Sequence, residues 1–350
     1  MTLWATEVTQ YEISDEFTKV SYAELIDPQC EVTPAEGLPP GWNNAGFEDS
    51  GWDTADPFKH AAWFEPTGTP PFNETESKWI SISGIDGNGL DADQSDGQRG
   101  VYLYRKTFQV PAVAYDVSAE AAIASDNYGW LYVNGVKVLE PEDLSVTGLN
   151  FSVPPGPSTG PVPAKLLACN NVLAAEVQNG LGVCTPPPNL PNLLAVEPNG
   201  PTGVIFSLTL DYELPDVVWQ PPVTNLDSGR KNGSTLPLKF RFYTQDGKLI
   251  KQPQQVYLAV HDGRFPVDET EDLGDIVAEW NLGNSVRNMR FSKGNGQYIA
   301  NFQTNKMNLD DGTYTAVVHD GCTDEALGHM DFELVGKKKE KDPKPPKPKK

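Results

Sequence analysis

The sequence has little that points to helices or to a membrane. No run of apolar residues approaches the roughly 18 positions that a membrane-spanning helix needs. No long stretch repeats its apolar residues with the period of an amphipathic helix. The first ten residues, "MTLWATEVTQ", also lack the basic start and apolar core of a secretion signal. We therefore expect no membrane span, and either a signal already removed or another route to the final location.

The motifs that mark common enzyme classes are also missing. There is no G-x-S-x-G elbow, no H-E-x-x-H zinc motif, no P-loop and no dinucleotide-binding glycine pattern. A glycosidase needs a pair of carboxylates across a cleft, and among 48 acidic residues the sequence singles out no such pair. We therefore expect that the protein is not an enzyme.

Positive charge is scarce except at the C-terminus. The formal net charge is −21, yet the last fourteen residues, "KKKEKDPKPPKPKK", contain eight lysines and two acids. The rest of the chain therefore carries −27, and such a body repels nucleic acid and anionic membranes. Proline and like charges predict a disordered basic tail over residues 337–350. The tail is either a plain spacer or an attachment to an anionic wall polymer or membrane surface.

Cysteine is rare and lacks the spacing of a zinc site. The four cysteines include no C-x-x-C pair. Cys169 and Cys184 flank a proline-rich loop, and their spacing predicts a disulfide between neighbouring strands. Cys30 and Cys322 have no evident partner. Cysteine use of this kind is typical of an oxidising compartment, so we expect an extracellular or cell-surface location.

Turn-forming residues, by contrast, are abundant. The chain contains 31 glycines and 31 prolines, and its apolar residues recur in short alternating runs. Both features predict an all-β protein with many turns. The clearest strand patterns lie at residues 101–110, 169–180 and 201–215.

The stretch "SDNYGWLYVNGVKVLE", residues 125–140, predicts a β-hairpin. Asn134-Gly135 suits a type I′ turn, because both central residues of that turn need positive φ. Alternation along the strands then predicts an aliphatic core face around Leu131 and a half-solvated face with Trp130 and Tyr132. The predicted cross-strand pairs are Val133 with Val136, Tyr132 with Lys137, Leu131 with Val138 and Trp130 with Leu139.

Five segments occur in the order of a known fold. They are "FEDSGWDTA", "YLYRKTFQVP", "AAIASDNYGWLYVNGVKV", "NVLAAEVQNG" and "GVIFSLTLDY". This order resembles the galactose-binding-like jelly roll, and more narrowly the non-catalytic β-sandwich modules attached to α-L-rhamnosidases and related extracellular glycosidases. The resemblance covers residues 41–213 and implies a jelly-roll domain over residues 1–214. Residues 1–40 and the proline-rich insert at residues 153–163 depart from the family pattern.

A second domain is predicted over residues 215–336, where "GSTLPLKF" resembles the signature of the PxKF domain, a small extracellular Ig-like β-sandwich. Such modules are spacers in surface proteins, and the resemblance implies no catalysis. Leu238, Phe240 and Phe242 alternate with Lys239 and Arg241, which predicts one buried and one solvated face. The residues that match the signature are Gly233, Ser234, Pro237, Lys239 and Phe240.

The acidic segment "DGNGLDADQSDG", residues 86–97, is a candidate metal site. Its oxygen ligands on a glycine-bearing loop suit Ca²⁺, although their order is not that of an EF-hand. The resemblance to galactose-binding-like modules implies a structural Ca²⁺ on such a loop, and the simpler alternative is a solvated acidic loop. The candidate ligands are Asp86, Asn88, Asp91, Asp93 and Asp96.

A sugar site needs an exposed aromatic ring that stacks on the pyranose face, together with polar groups that bind its hydroxyls. The alternative for the tryptophans is packing at the end of the sandwich, and for the Asp-Asn pair it is shaping of the turn before the hairpin. The candidate glycan-binding residues are Asp126, Asn127, Trp130, Tyr132, Trp42 and Trp52.

A short repeat occurs in the predicted second domain, where "AVHDG" at residues 259–263 is followed by "VVHDG" at residues 317–321. If the two strands are neighbours, His261, Asp262, His319 and Asp320 could together offer a metal site. The alternative, which we favour, is a strand that runs into an Asp-Gly turn, used twice.

These observations together predict a non-catalytic extracellular protein with a jelly-roll domain, a smaller sandwich and a basic tail. The first hypothesis is recognition of glycans or surface polysaccharide, or adhesion, through the jelly-roll loops, with the second sandwich as a spacer. The second hypothesis is a structural subunit of a surface layer, sheath or fibre that associates with itself or with neighbouring surface proteins. The third is the accessory part of a glycoside hydrolase.

Overall fold

The structure is a computed structural model, and it describes residues 7–24, 38–57, 72, 77–81, 100–126, 128–140, 158–167, 169–179, 203–224, 229–266, 273–283 and 288–336. The chain divides into two compact units. The N-terminal unit is formed by Val8–Val110 and Asp116–Tyr212, and the C-terminal unit is formed by Met1–Glu7, Pro111–Tyr115 and Glu213–Lys350. The predicted tail at residues 337–350 lies outside the described residues.

The N-terminal unit is built from two antiparallel sheets. Sheet I has the strand order β10-β7-β12-β5-β4, with β1 also paired to β12, and sheet II has the order β3-β2-β6-β11-β8-β9. The described strands are β1 (Glu7–Ile13), β2 (Lys19–Glu24), β3 (Asp53–Thr54), β4 (Asp56–Pro57), β5 (Ile80–Ser81), β6 (Gly100–Gln109), β7 (Tyr115–Asp126), β8 (Tyr128–Val133), β9 (Val136–Leu139), β10 (Ser158–Pro161), β11 (Asn170–Asn179) and β12 (Gly203–Glu213).

The two sheets of this unit meet at a tight corner. Strand β7 of sheet I is followed by β8 of sheet II after the single residue 127. At Gly129 a Cβ atom would lie 2.4 Å from Ser125 Oγ and 3.1 Å from Ile123 Cδ1, so only a glycine lets the strands approach this closely. The side of β8 that carries Gly129, Leu131 and Val133 therefore faces sheet I, and Trp130 points to the opposite side.

The predicted hairpin is present, and its register departs from the expectation at one end. Asn134 and Gly135 form the turn with φ of 49° and 81°, and Val133 pairs with Val136 as expected. A β-bulge between Leu131 and Tyr132 then shifts the ladder, so Leu131 pairs with Leu139 instead of Val138. The bulge also removes the predicted pairing of Trp130 with Leu139.

The C-terminal unit is a second sandwich. Sheet III has the order β13-β15-β19-β18, and sheet IV has the order β14-β21-β20-β16-β17. A short helix, α1 (Thr304–Met307), follows β19. The described strands are β13 (Asp216–Gln220), β14 (Arg230–Lys231), β15 (Thr235–Tyr243), β16 (Val256–Asp262), β17 (Ile276–Asn281), β18 (Arg290–Ser292), β19 (Gln297–Gln303), β20 (Gly312–Asp320) and β21 (Ala326–Val335).

The core of the second sandwich follows the predicted alternation. Leu238, Phe240 and Phe242 are fully buried, while Lys239 and Arg241 between them are not. Their side chains pack with those of β16, β19, β20 and β21. Strand β19 alternates in the same way, whereas β16 and β20 each carry a run of consecutive buried residues. The all-β sandwich prediction is confirmed. Among the described residues, no helix has the length and apolar character that crossing a membrane requires.

Candidate functional site

The side of sheet II that faces away from sheet I carries a cluster of buried aromatic residues. Trp130 is 2% exposed and Tyr132 is 8% exposed. The ring of Trp42 packs edge-on against Tyr132, with centroids 5.6 Å apart. The expectation of a half-solvated face was therefore wrong, because the segment that contains Trp42 covers the hairpin. Rings buried in this way offer no open face for a sugar.

Arg105 explains why this segment folds over the sheet. The Arg105 side chain is 1% exposed, and its Nε donates to Asp49 Oδ2 at 2.8 Å. Its Nη1 donates to the backbone carbonyls of Trp42 and Asn44. The guanidinium also lies 5.2 Å from the centroid of the Phe47 ring. One buried cation thus holds together residues 42–49 and fixes them on sheet II.

Trp52 belongs to the same arrangement. Its half-buried ring packs edge-on against Phe47 at 5.6 Å, and the Arg105 guanidinium lies 5.9 Å from its centroid. These contacts are what the packing interpretation of Trp52 requires. A ligand role for Trp52 stays a prediction. The same holds for Asp126 and Asn127, because the Asp126 side chain is not described and Asn127 lies outside the described residues.

The hairpin turn is fixed by side-chain hydrogen bonds. Asn134 Nδ2 donates to the Leu166 carbonyl at 2.6 Å and to Asn171 Oδ1 at 2.8 Å, and Asn134 Oδ1 accepts from the Val172 backbone N–H at 2.9 Å. A Cβ atom at Gly135 would lie 2.2 Å from Asn44 Oδ1. The turn at Asn134-Gly135, within the hairpin that the sequence suggests as a binding platform, therefore has a structural role.

A buried carboxylate lies beneath this cluster. The hydroxyl of Tyr132 donates to Glu176 Oε2 at 3.2 Å, and Glu176 is buried. Burial, together with the negative charge of Glu176, raises the pKa of Tyr132 well above its ordinary value. The pair acts as an internal hydrogen-bonded contact rather than as a solvent-facing acid.

A different part of the N-terminal unit presents an open aromatic ring. Phe17 is 73% exposed, the largest exposure among the large apolar side chains of the described residues. It lies in the loop between β1 and β2, and the ammonium of Lys106 lies 5.5 Å from the centroid of its ring. Nothing in the sequence marks Phe17 as a candidate, because a single phenylalanine between two acids and a threonine shows no pattern.

The loop that holds Phe17 is extensively hydrogen-bonded. Asp15 Oδ1 accepts from the Phe17 backbone N–H at 3.0 Å, and the Thr18 backbone N–H donates to the Asp15 carbonyl at 3.1 Å. The Ser14 backbone N–H donates to the Phe206 carbonyl of β12 at 3.0 Å, and the Ser14 carbonyl accepts from the Lys78 backbone N–H at 2.9 Å. The ring therefore projects from a fixed turn rather than from a loose loop.

Charged groups surround the ring. Lys106 Nζ forms an ion pair with Asp15 Oδ2 at 2.5 Å, and Lys78 Nζ forms one with Glu16 Oε2 at 2.7 Å. The hydrogen bond from Lys78 lowers the pKa of Glu16. We call Asp15, Glu16, Phe17, Lys78 and Lys106 the Phe17 rim.

The His-Asp-Gly repeat lies on two neighbouring strands, β16 and β20 of sheet IV. Asp320 takes no part in a shared site, because its buried carboxylate accepts backbone N–H groups of Val113, Cys322 and Thr323. Asp262 is exposed. The described residues contain no group of three or more side chains placed to bind one metal ion.

Two further predictions concern residues that are not described. The candidate calcium ligands Asp86, Asn88, Asp91, Asp93 and Asp96 all lie outside the described residues. Cys169 is disulfide-bonded, but Cys184, its predicted partner, also lies outside them. Cys322, for which the sequence suggested no partner, is disulfide-bonded as well.

Comparison with known proteins gives matches among solved structures alone. No protein-family model and no curated protein matches the chain. A Bacteroides uniformis β-glucuronidase is 12% identical with a TM-score of 0.28, and the match covers 93% of this chain and 32% of that chain. A β-glycosidase from Bacteroides vulgatus is 11% identical with a TM-score of 0.29, and the match covers 93% of this chain and 33% of that chain. A Ruminococcus gnavus β-glucuronidase is 13% identical with a TM-score of 0.29, and the match covers 95% of this chain and 45% of that chain. The chain thus spans less than half the length of these proteins.

Proposed function

We propose that this protein is a non-catalytic extracellular or cell-surface protein that recognises glycans through the Phe17 rim of its N-terminal unit. The C-terminal sandwich then acts as a spacer. The observation that carries the proposal is the exposed ring of Phe17 on a hydrogen-bonded turn with charged groups beside it.

The chemistry of the rim suits a sugar ring. A pyranose presents an apolar face of C–H groups that packs on an aromatic ring, and its hydroxyls need donors and acceptors around that contact. Phe17 supplies the ring, Glu16 supplies an acceptor, and Lys78 and Lys106 supply donors. Because each ammonium is already paired with a carboxylate, the rim favours a neutral sugar over a strongly anionic one.

Order in the turn favours binding. Immobilising a loop on association costs conformational entropy, and a turn that is already hydrogen-bonded avoids most of that cost. The buried cluster around Arg105 has a different role, since it holds the segment of residues 38–52 in place on sheet II.

The proposal can be tested by glycan-array binding and polysaccharide pull-down with the full chain. We expect the wild type to bind a set of neutral glycans. Phe17→Ala should lower the affinity for these glycans at least about tenfold, and Phe17→Tyr should keep the wild-type affinity. Because Phe17 is exposed, its truncation should leave folding intact. Val136→Ala, another exposed apolar residue of the same unit, is the matched control. Absence of binding by the wild type, or equal binding by Phe17→Ala, would contradict the proposal.

An exposed apolar residue at a sheet edge supports a second candidate function, that of a structural subunit. Among the described strands, β9 lies at the edge of sheet II, and its Val136 is exposed. Unpaired edge strands can pair with another chain. Light scattering and electron microscopy over a range of concentrations would show filaments or sheets in this case, and Val136→Lys should suppress them. A monomer at all concentrations would exclude this candidate.

A further inference from the structure

Two histidine rings come close together on one side of sheet IV. In the antiparallel ladder of β16 and β20, Tyr257 is opposite His319 and His261 is opposite Thr315. Side chains alternate along a strand, so Tyr257, His261, Thr315 and His319 all lie on the same side of the sheet. The rings of His261 and His319 lean towards each other, with centroids 6.4 Å apart and planes at 45°.

The hydrogen bonds of both rings define which nitrogen carries the proton. His261 Nδ1 lies 2.7 Å from the Gly274 carbonyl oxygen, and His319 Nδ1 lies 3.1 Å from the Asp324 carbonyl oxygen. A carbonyl oxygen only accepts, so each Nδ1 donates, and in the neutral ring each Nε2 then has a free lone pair. An Nδ1–H bound to a backbone carbonyl is the usual support of a histidine that binds metal through Nε2.

The Nε2 atom of His261 has no partner. The His261 side chain is 6% exposed, and its Nε2 is buried without a hydrogen bond. Leaving such an atom unpaired costs about 1–3 kcal/mol, and buried polar atoms without a partner are uncommon in folded proteins. A bound cation would satisfy this atom.

The surroundings are acidic and hold the second ring in place. Tyr257 stacks on His319 with centroids 4.6 Å apart, and the Tyr257 hydroxyl donates to the carboxylate of Asp324. Burial, followed by this hydrogen bond and the charges of Asp324 and Glu279, raises the pKa of Tyr257. The two carboxylates that act on Tyr257, the residue stacked on His319, add negative charge to this part of the sheet, which favours a cation.

We propose that His261 and His319 bind one divalent transition-metal ion through their Nε2 atoms. Imidazole ligands favour Zn²⁺, Cu²⁺ or Ni²⁺ over Ca²⁺ and Mg²⁺. With metal–nitrogen bonds of about 2 Å, two imidazole centroids lie roughly 5 Å apart in a tetrahedral site and over 6 Å apart on opposite sides of a metal. The observed 6.4 Å matches the opposed arrangement, and a shift of His319 by about 1 Å would give the tetrahedral one. Water or a further ligand completes the coordination.

The experiment is titration of the full chain with Zn²⁺ and Cu²⁺ by isothermal calorimetry after treatment with chelator. We expect one site whose affinity falls at least about tenfold in His261→Gln and in His319→Gln. His329→Gln is the matched control, because His329 lies on the same sheet but stacks on Phe265 at 3.8 Å. Nitrogen couplings in the Cu²⁺ electron paramagnetic resonance spectrum should show two imidazoles in the wild type and one in His319→Gln.

The outcomes separate the proposal from its alternatives. His319 is half-buried, so His319→Gln remains informative if His261→Gln fails to fold. Wild-type protein that binds neither ion overturns the proposal. Affinity that is unchanged in His319→Gln, or lowered equally by His329→Gln, also overturns it. None of these results depends on whether the Phe17 rim binds glycans.

Discussion

Replacement of Arg105 by methionine should strongly destabilise the N-terminal unit. The change keeps the aliphatic volume but removes the guanidinium, which binds Asp49 at 2.8 Å and the carbonyls of Trp42 and Asn44. Breaking a buried ion pair from one side costs about 3–5 kcal/mol. Asp49 keeps some contact with water, which lowers this cost, whereas the two carbonyls left without a donor add about 1 kcal/mol each. We expect a loss of about 3–5 kcal/mol in the free energy of unfolding.

Arg105→Lys provides a graded comparison. A lysine retains the charge and one bond to Asp49, but its single ammonium cannot reach both carbonyls and the carboxylate in the fork geometry of arginine. We expect a loss of about 1–3 kcal/mol. The exposed ion pair of Lys137 with Glu140 gives the control, and Lys137→Met should change stability by less than about 1 kcal/mol.

Hydrogen exchange followed by mass spectrometry is the suitable assay, because it measures opening free energies segment by segment. Protection should fall most in residues 38–57 and 100–109, which meet at Arg105. A loss below about 1 kcal/mol in Arg105→Met, or an equal loss in residues 229–336 and in the N-terminal unit, would refute the reasoning.

Three further predictions concern single side chains. Gly135→Ala should cost about 1–2 kcal/mol, because φ is 81° and the new Cβ would meet Asn44, whereas Gly46→Ala, with open space around it, should be near neutral in denaturant titration. Asp320→Asn should destabilise the C-terminal unit by about 1–3 kcal/mol in the same assay, since the amide has a single acceptor oxygen for three backbone donors. Burial raises the pKa of Tyr298 to about 12, so the folded state holds this proton more tightly than the unfolded chain. Stability from this group is present below about pH 10 and is lost as the pH rises towards 12, and Tyr298→Phe should flatten that decline in a pH series of melts.

Sequence patterns predicted those parts of the fold that depend on neighbouring residues. The alternation of Leu238, Phe240 and Phe242 predicts the buried face of β15, and Asn134-Gly135 predicts the hairpin turn. Both follow from local geometry, the first from side-chain alternation and the second from the positive φ that the turn requires.

The features that the sequence did not predict depend on distant contacts. Trp130 looks half-solvated from its own strand, and it is buried because residues 38–52, far earlier in the chain, cover it. Arg105 and Asp49 lie 56 positions apart, so no local pattern pairs them. The solvent exposure of Phe17 depends on the loop conformation that Asp15 stabilises. The bulge at Leu131, which shifts the register of the hairpin, has no recognisable residue pattern in the sequence.

The corner between β7 and β8 determines more than the connection of two sheets. Because a single residue separates the strands, adding one residue there would shift β8 by one position and reverse the direction of every side chain in it. The rings of Trp130 and Tyr132 would then enter the layer between the sheets, and the aliphatic side chains would replace them beneath residues 38–52. A tag or linker inserted at this corner should therefore disrupt the native packing of the whole N-terminal unit, even though most connections between strands tolerate insertions.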